Sequence, residues 1–218
     1  MNRDNALPLA LLALYVVVWT LCAIKPLYPS DWLLENVLVF VFVPVVVIHY
    51  VRGARLSNTA YVTLFIFLSL HSLGSHYTYA EVPYDNWWYA LTGSTLNDTM
   101  GWSRNHYDRL VHFSYGLLTT PVWVEILRRA LPDMRSFWRW LIPLTFMMSH
   151  SLMYELIEWA AAMQFGGELG TAYLGTQGDN WDAQQDMMLA SLGSVICLAL
   201  LATTGRLSDP PLSRPAVS

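Results

Sequence analysis

The chain has 218 residues, 55% of them apolar and 13% charged, with a formal charge of −4 and a mean hydropathy of +0.35. A soluble domain carries about 25% charge, so an ordinary water-soluble globule is excluded and the bilayer is the expected solvent. The small net charge excludes nucleic acid as a partner, and Cys22 and Cys197, both inside apolar runs, form neither a disulfide framework nor a zinc cluster.

Six segments are long and apolar enough to span about 30 Å of hydrocarbon. The first, 7–24, follows Arg3 as a secretory signal would. It is longer than a signal core, and Lys25-Pro26 stands where a small-x-small cleavage site belongs, so an uncleaved span is expected. The second, 33–50, contains the unbroken run VLVFVFVPVVVI. The third, 59–79, carries His71, Ser75, His76 and Tyr77 toward its end. A long loop, 80–106, follows, and its Trp87, Trp88, Tyr89 and Trp102 suit an interfacial aromatic belt. The fourth span, 107–127, opens with Asp108, Arg109 and His112, just after Arg104 and His106. The fifth, 137–163, holds His150, Glu155 and Glu158. A glycine-rich loop leads through Asp179, Asp182 and Asp186 into the sixth, 187–204. Pro44 and Pro143 fall within spans, where neighbouring helices satisfy the carbonyls they free. The expected fold is therefore all-α: one six-helix transmembrane domain over residues 1–204, with a loose polar tail at 205–218.

Orientation follows from lysine and arginine. One set of ends and loops holds Arg3, Arg52, Arg55, Arg128, Arg129, Arg135, Arg139, Arg206 and Arg214, and the other holds Lys25, Arg104 and Arg109. This bias puts both termini in the cytoplasm and the loops 80–106 and 164–186 outside. A compact chain of this kind suits a bacterial inner membrane.

With that orientation, four helices bring their acids and histidines to one depth near the outer face. At 1.5 Å per residue Glu158 lies about 7 Å and Glu155 about 12 Å below the outer end of the fifth span. Asp108 and His112 are spaced i, i+4, as are Asp182 and Asp186, while Glu155 and Glu158 are i, i+3, so each pair shares a helix face. Asn105 and Asp108, like Asp179 and Asp182, also have the N-cap and N3 spacing, and an acid in a first turn is favoured by the helix dipole. Capping accounts for Asp179 most simply. It does not reach His112, Asp186, Glu155 or Glu158. An ionisable group at mid-bilayer costs about 2.5–3.5 kcal/mol on insertion scales, so such groups must pair, bind a cation or line a hydrated cavity.

Carboxylates with imidazole form a ligand set for zinc, magnesium or manganese. Asp108, His112, Glu155, Glu158, Asp182 and Asp186 are the candidate ligands, and the first four are also candidate general acids or bases. His71, His76, His106, Arg104 and Arg109 are candidate substrate contacts, the arginines toward an anionic head group. Three uses of the cluster remain open. A divalent-metal hydrolase or transferase would act on a lipid-linked or envelope substrate. A proton- or cation-coupled transporter or lipid-handling protein would relay charge through it, and a non-catalytic binding module would use it as a structural network. Membrane lipids are partners under each. No G-x-S-x-G, Walker loop or H-E-x-x-H occurs in the sequence.

The spacing of Asp179, Asp182 and Asp186 resembles, over eight residues, that with which UbiA-type prenyltransferases hold magnesium against a lipid diphosphate. More extensively, YAEVPYDNWW (79–88), RNHYDRLVHFSYG (104–116), YELIEW (154–159) and AYLGTQGDNWDAQQDM (172–187) resemble the YjdF-like family of bacterial inner-membrane proteins. That resemblance implies a six-helix inner-membrane fold and no particular reaction. The D-x-x-x-H-F opening of the fourth span, the later acid pair and the final W-D-x-x-x-D are more remotely similar to VanZ-like proteins, some of which are associated with glycopeptide resistance. The arginine-rich element before the last VanZ aspartate is missing here. This second likeness implies the cell envelope as a setting.

Overall fold

The computed structural model describes residues 6–167, 170, 174–205 and 207. Arg3, Arg206, Arg214, parts of the glycine-rich loop and nearly all of the expected tail lie outside them. The described residues form helices and turns with no strand. Among the described residues the helices are α1 (Ala6–Ala23), α2 (Pro29–Val51), α3 (Asn58–His76), α4 (Tyr84–Thr92), α5 (Leu96–Met100), α6 (Tyr107–Ala130), α7 (Ser136–Phe165) and α8 (Asp182–Thr203). Of these, α1, α2, α6 and α8 are long and apolar enough to cross a membrane. The 19 residues of α3 and the 30 of α7 are also long, but their histidines, hydroxyls and acids dilute their apolar character.

Several boundaries differ from the sequence expectation. The third segment ends as a helix at His76 rather than at residue 79, and Thr78 and Tyr79 turn the chain through positive φ. The last helix begins at Asp182, five residues earlier than expected, so Asp182 and Asp186 lie within it. The stretch 80–106, read as loop, contains α4 and α5. Thr95 caps α5 by accepting the Asp98 N–H at 3.0 Å, and Gly93 and Gly101 end the two helices in the left-handed conformation.

Central in the structure is α6, which packs on α3, α7 and, most closely, α8. The α6–α8 crossing is parallel and is made by small residues. A Cβ on Gly116 would overlap the Ala190 carbonyl, and one on Gly193 would overlap the Phe113 carbonyl. One turn further, Thr120 donates to Ser194 Oγ at 3.0 Å. Lipid offers no hydrophobic force to join two helices, so close backbone packing and interhelical hydrogen bonds must do it. Polar contacts likewise join the first three helices. Trp19 Nε1 donates to Asn36 Oδ1 at 2.6 Å, Asn36 Nδ2 reaches Ser75 Oγ at 3.4 Å, and Tyr15 OH meets Ser72 Oγ at 3.3 Å.

Charge is distributed unevenly between the two ends of the molecule. The N-terminal ends of α2, α6 and α8 meet the C-terminal ends of α3 and α7 at an acidic end. Arg55, Arg128, Arg129 and Arg139 collect at the other, where an Arg129 nitrogen donates to the Arg55 carbonyl. The tightness of the α6–α8 contact makes a single methyl costly. Gly116→Ala and Gly193→Ala should each lower unfolding stability in detergent by about 1–3 kcal/mol, read from thermal or denaturant melts.

Candidate functional site

Two helix starts build the site, and both use the same local device. Asn105 Oδ1 accepts the Tyr107 N–H at 2.9 Å ahead of α6, and Asp179 Oδ1 accepts the Trp181 N–H at 2.9 Å ahead of α8. The N-cap positions are therefore His106 and Trp181, neither with a side-chain cap, which corrects the capping roles expected of Asn105 and Asp179. The polar side chains act one residue (Asn105) and two residues (Asp179) before the N-cap, as turns that aim each helix.

Beyond the turns, Asp108 and His112 on α6 face Asp186 on α8. One ligand atom from each lies within 4.8 Å of the others. His112 Nε2 is 3.5 Å from Asp108 Oδ1 and 3.8 Å from Glu155 Oε1 of α7. His112 and Asp186 are buried, and both Glu155 Oε1 and Asp186 Oδ1 lack a hydrogen-bond partner. The Glu155 and Glu158 carboxyls are within hydrogen-bonding reach of each other, and Glu158 also interacts with Tyr154 and electrostatically with Asp108. Glu158 thus turns toward the cluster rather than outward.

Asp182 has a different partner. Arg104 Nη1 donates to Asp182 Oδ1 at 2.5 Å and to the Thr176 carbonyl at 3.0 Å. Arg109 Nη2 donates to Asp179 Oδ2 at 2.5 Å, and the diagonal pairs Arg104–Asp179 and Arg109–Asp182 are both 3.6 Å apart. Two guanidinium groups and two carboxylates so form a closed square beside the histidine site. Arg104 and Arg109, expected as anion contacts, and Asp182, expected as a ligand, occupy one another. The Trp181 N–H first, and then Arg109, hold the Asp179 carboxyl below its ordinary value of 3.8.

The candidate histidines fare differently. His71 is buried with Tyr79 OH on Nδ1 at 2.5 Å and no partner on Nε2. His76 Nδ1 meets the Cys22 carbonyl at 2.8 Å, which ties α3 to α1. His106 stacks on Trp102 with ring centroids 4.3 Å apart, and burial first, with Arg109 and Arg104 next, pushes its pKa down. Of the three, His71 is the one with a ring nitrogen that is buried without a partner.

Sequence reasoning overlooked Asp31 and Glu35 in the opening turns of α2. Both are buried, at 1% and 3% exposure, and neither Asp31 oxygen has a partner. Glu35 accepts from Tyr154 OH at 3.1 Å and interacts electrostatically with Asp31 and Asp108, so α2 joins the same polar centre. The signal was present, since 31 and 35 repeat the i, i+4 spacing of 108 and 112.

The family described as "Predicted membrane protein (DUF2238)" matches residues 7–206. The chain belongs to this family. It is 35% identical over 171 residues to the inner membrane protein YjdF of Escherichia coli strain K12, covering 78% of this chain and 77% of that protein. No solved structure matches. With its apolar helices and its kinship to an inner-membrane protein, this DUF2238 member is an inner-membrane protein.

Two outcomes are expected from the ion-pair square. Arg104→Ala leaves the Asp182 carboxylate, whose side chain is only 4% exposed, with just its 3.6 Å approach to Arg109, and should cost about 3 kcal/mol. Adding Asp182→Ala should restore much of that stability, as a double-mutant melt will show. Asp179 has a depressed folded pKa, so its contribution is complete above the ordinary carboxylate value and is lost as pH falls through the folded one. The melting-temperature gap between wild type and Asp179→Asn should therefore be constant near about pH 6 and close as pH drops below about 4.

Proposed function

We propose that this membrane protein holds a divalent metal between α6, α7 and α8, and that the centre serves hydrolysis or group transfer on a lipid-linked or envelope substrate. The observation that carries this is the convergence of Asp108, His112 and Asp186 within 4.8 Å, with partnerless oxygens on Asp186 and Glu155 beside them. Ligands at about 2.0–2.2 Å from zinc lie about 3.3–3.6 Å apart, so the donor set suits such an ion after a small contraction. Asp108, His112, Asp186 and Glu155 would hold it, and Asp182 would not, being bound to Arg104.

A metal bound there would supply Lewis acidity and an activated water. The chain's own groups supply the rest. Glu158, hydrogen-bonded to Glu155 and reached by Tyr154, is positioned to hold and pass a proton at the margin of the donor set. The Arg104–Asp182 and Arg109–Asp179 pairs fix the start of α8 and so the aim of Asp186.

The same proposal includes six crossings, by α1, α2, α3, α6, α7 and α8, within one transmembrane domain, with both termini cytoplasmic and the metal site toward the outer leaflet. The arginines gathered at the far end from the acids support that topology. A second reading, proton-coupled transport, is favoured by one feature. Asp31, Glu35, Tyr154 and Glu158 form a buried line of proton-carrying groups from α2 to α7, as in a relay.

Elemental analysis of protein purified without chelator tests the metal directly. About one zinc, manganese or magnesium per chain is expected, falling below about 0.2 in His112→Ala and in Asp186→Asn that still fold. A wild-type value below about 0.2 that added metal does not raise would sink the proposal. Asp31→Asn should leave metal content unchanged, whereas a relay would register it as lost proton flux in proteoliposomes.

A further inference from the structure

At the end opposite the acids, a cavity of about 400 Å³ opens between the start of α3 and the last turns of α6, bordered by Arg55, Ser57, Glu125 and Arg129. Along α6, the seventeen residue steps from His112 to Arg129 rise about 26 Å, close to the hydrocarbon thickness of about 30 Å, so this cavity sits at the other membrane face. Its donors are not all used. Arg129 gives one nitrogen to the Arg55 carbonyl and stands 4.0 Å from Glu125 Oε2, while its Nη1 is buried without a partner. Glu125 Oε2 is already occupied by the Ser57 N–H at 2.8 Å. His49 Nε2, close enough to interact electrostatically with Arg129, and Tyr50 OH are likewise buried and partnerless. Three guanidinium groups, those of Arg55, Arg128 and Arg129, against one carboxylate leave the cavity positive.

A second space lies nearby. Between α1, α2 and α3 runs an apolar groove of about 160 Å³, walled by residues such as Leu11, Leu12, Val46, Val47, Leu64 and Leu68. Tyr50 and Tyr61 stand in that groove, with rings 6.1 Å apart, at its arginine end. Arg55 lies 5.3 Å over the Tyr50 ring, and the Leu56 N–H donates to Tyr61 OH at 3.2 Å. Leu56 itself borders the basic cavity. The tyrosine end of the apolar groove thus stands beside residues that border the basic cavity and its unused donors.

We infer that this is a binding site for an anionic phospholipid, with an acyl chain along the α1–α2–α3 groove and its phosphate against Arg55 and Arg129. The occupant follows from charge and shape together: a zwitterionic lipid would bring its own cation to a positive cavity, and free phosphate would leave the groove unused. Basic pockets between membrane helices are suited to anionic head groups, each nearby arginine adding about 1 kcal/mol, so about tenfold or more of preference is expected from two. The site is separate from the metal centre and does not depend on it.

Native mass spectrometry of the full-length protein, titrated with phosphatidylglycerol or phosphatidylcholine of matched chains, reads the preference. At least about tenfold tighter binding of phosphatidylglycerol is expected, reduced to near parity by Arg55→Ala with Arg129→Gln. Val47→Trp, which fills the groove and leaves both arginines, should weaken phosphatidylglycerol while sparing the metal content. Equal binding of the two lipids by wild type would overturn the inference. So would inorganic phosphate that competes as well as the lipid, since that result makes the groove irrelevant.

Discussion

The closeness of α6 and α8 governs everything at the acidic end. Gly116 and Gly193 let the two backbones touch, and hydrogen bonds such as Thr120 to Ser194 lock their relative height. Because the helices run parallel, equal steps from that contact reach equal depth. Gly116 lies beside Ala190, one turn earlier places His112 against Asp186, and another turn places Asp108 near Asp182. The turns before the helices then match too, Asn105 with Asp179. A methyl group inserted at the crossing would disturb the register of four ionisable residues one to two turns away.

That register creates an electrostatic problem which the structure divides into two. Several carboxylates gathered in a low-dielectric interior repel one another unless a cation or shared protons intervene. Nearest the helix starts, Arg104 and Arg109 neutralise Asp179 and Asp182 in a closed square. Deeper, among the described residues, no arginine forms an ion pair with Asp108, Asp186 or Glu155; Arg109 acts on Asp186 only at longer range, and His112 is the basic group that stands among them. Asp31 and Glu35 extend this uncompensated region toward α2. The contrast between a saturated outer layer and an unsaturated inner one is the physical ground for placing a metal in the inner layer.

The two ends of α6 express opposite chemistry for one reason, the length of a single crossing. Its first turns carry acid and imidazole, and its last carry Arg128 and Arg129. A helix of 24 residues separates these groups by about the thickness of the hydrocarbon layer, so neither set can neutralise the other. Each must find local partners, and at both ends some buried polar atoms have none.

The amino-acid sequence by itself determined the solvent, the helical class and the positions of most long helices, because a bilayer imposes length and apolarity on any crossing segment whatever it packs against. It also determined that Asp108, His112, Glu155, Glu158 and Asp186 share one end, since helix direction alternates along the chain. Family kinship was legible in the four quoted stretches. What only the tertiary structure decided was partnership. No spacing rule distinguishes Asp182 from Asp186, four residues apart on one face, yet the first meets Arg104 and the second meets His112. Asp31 and Glu35 were visible as an i, i+4 pair, but which helix they would face depended on how α2 sits against α3 and reaches Tyr154 of α7. Helix position follows from local chemistry and the bilayer, whereas side-chain pairing between helices follows from rotation and register, which small-residue contacts set far along the chain.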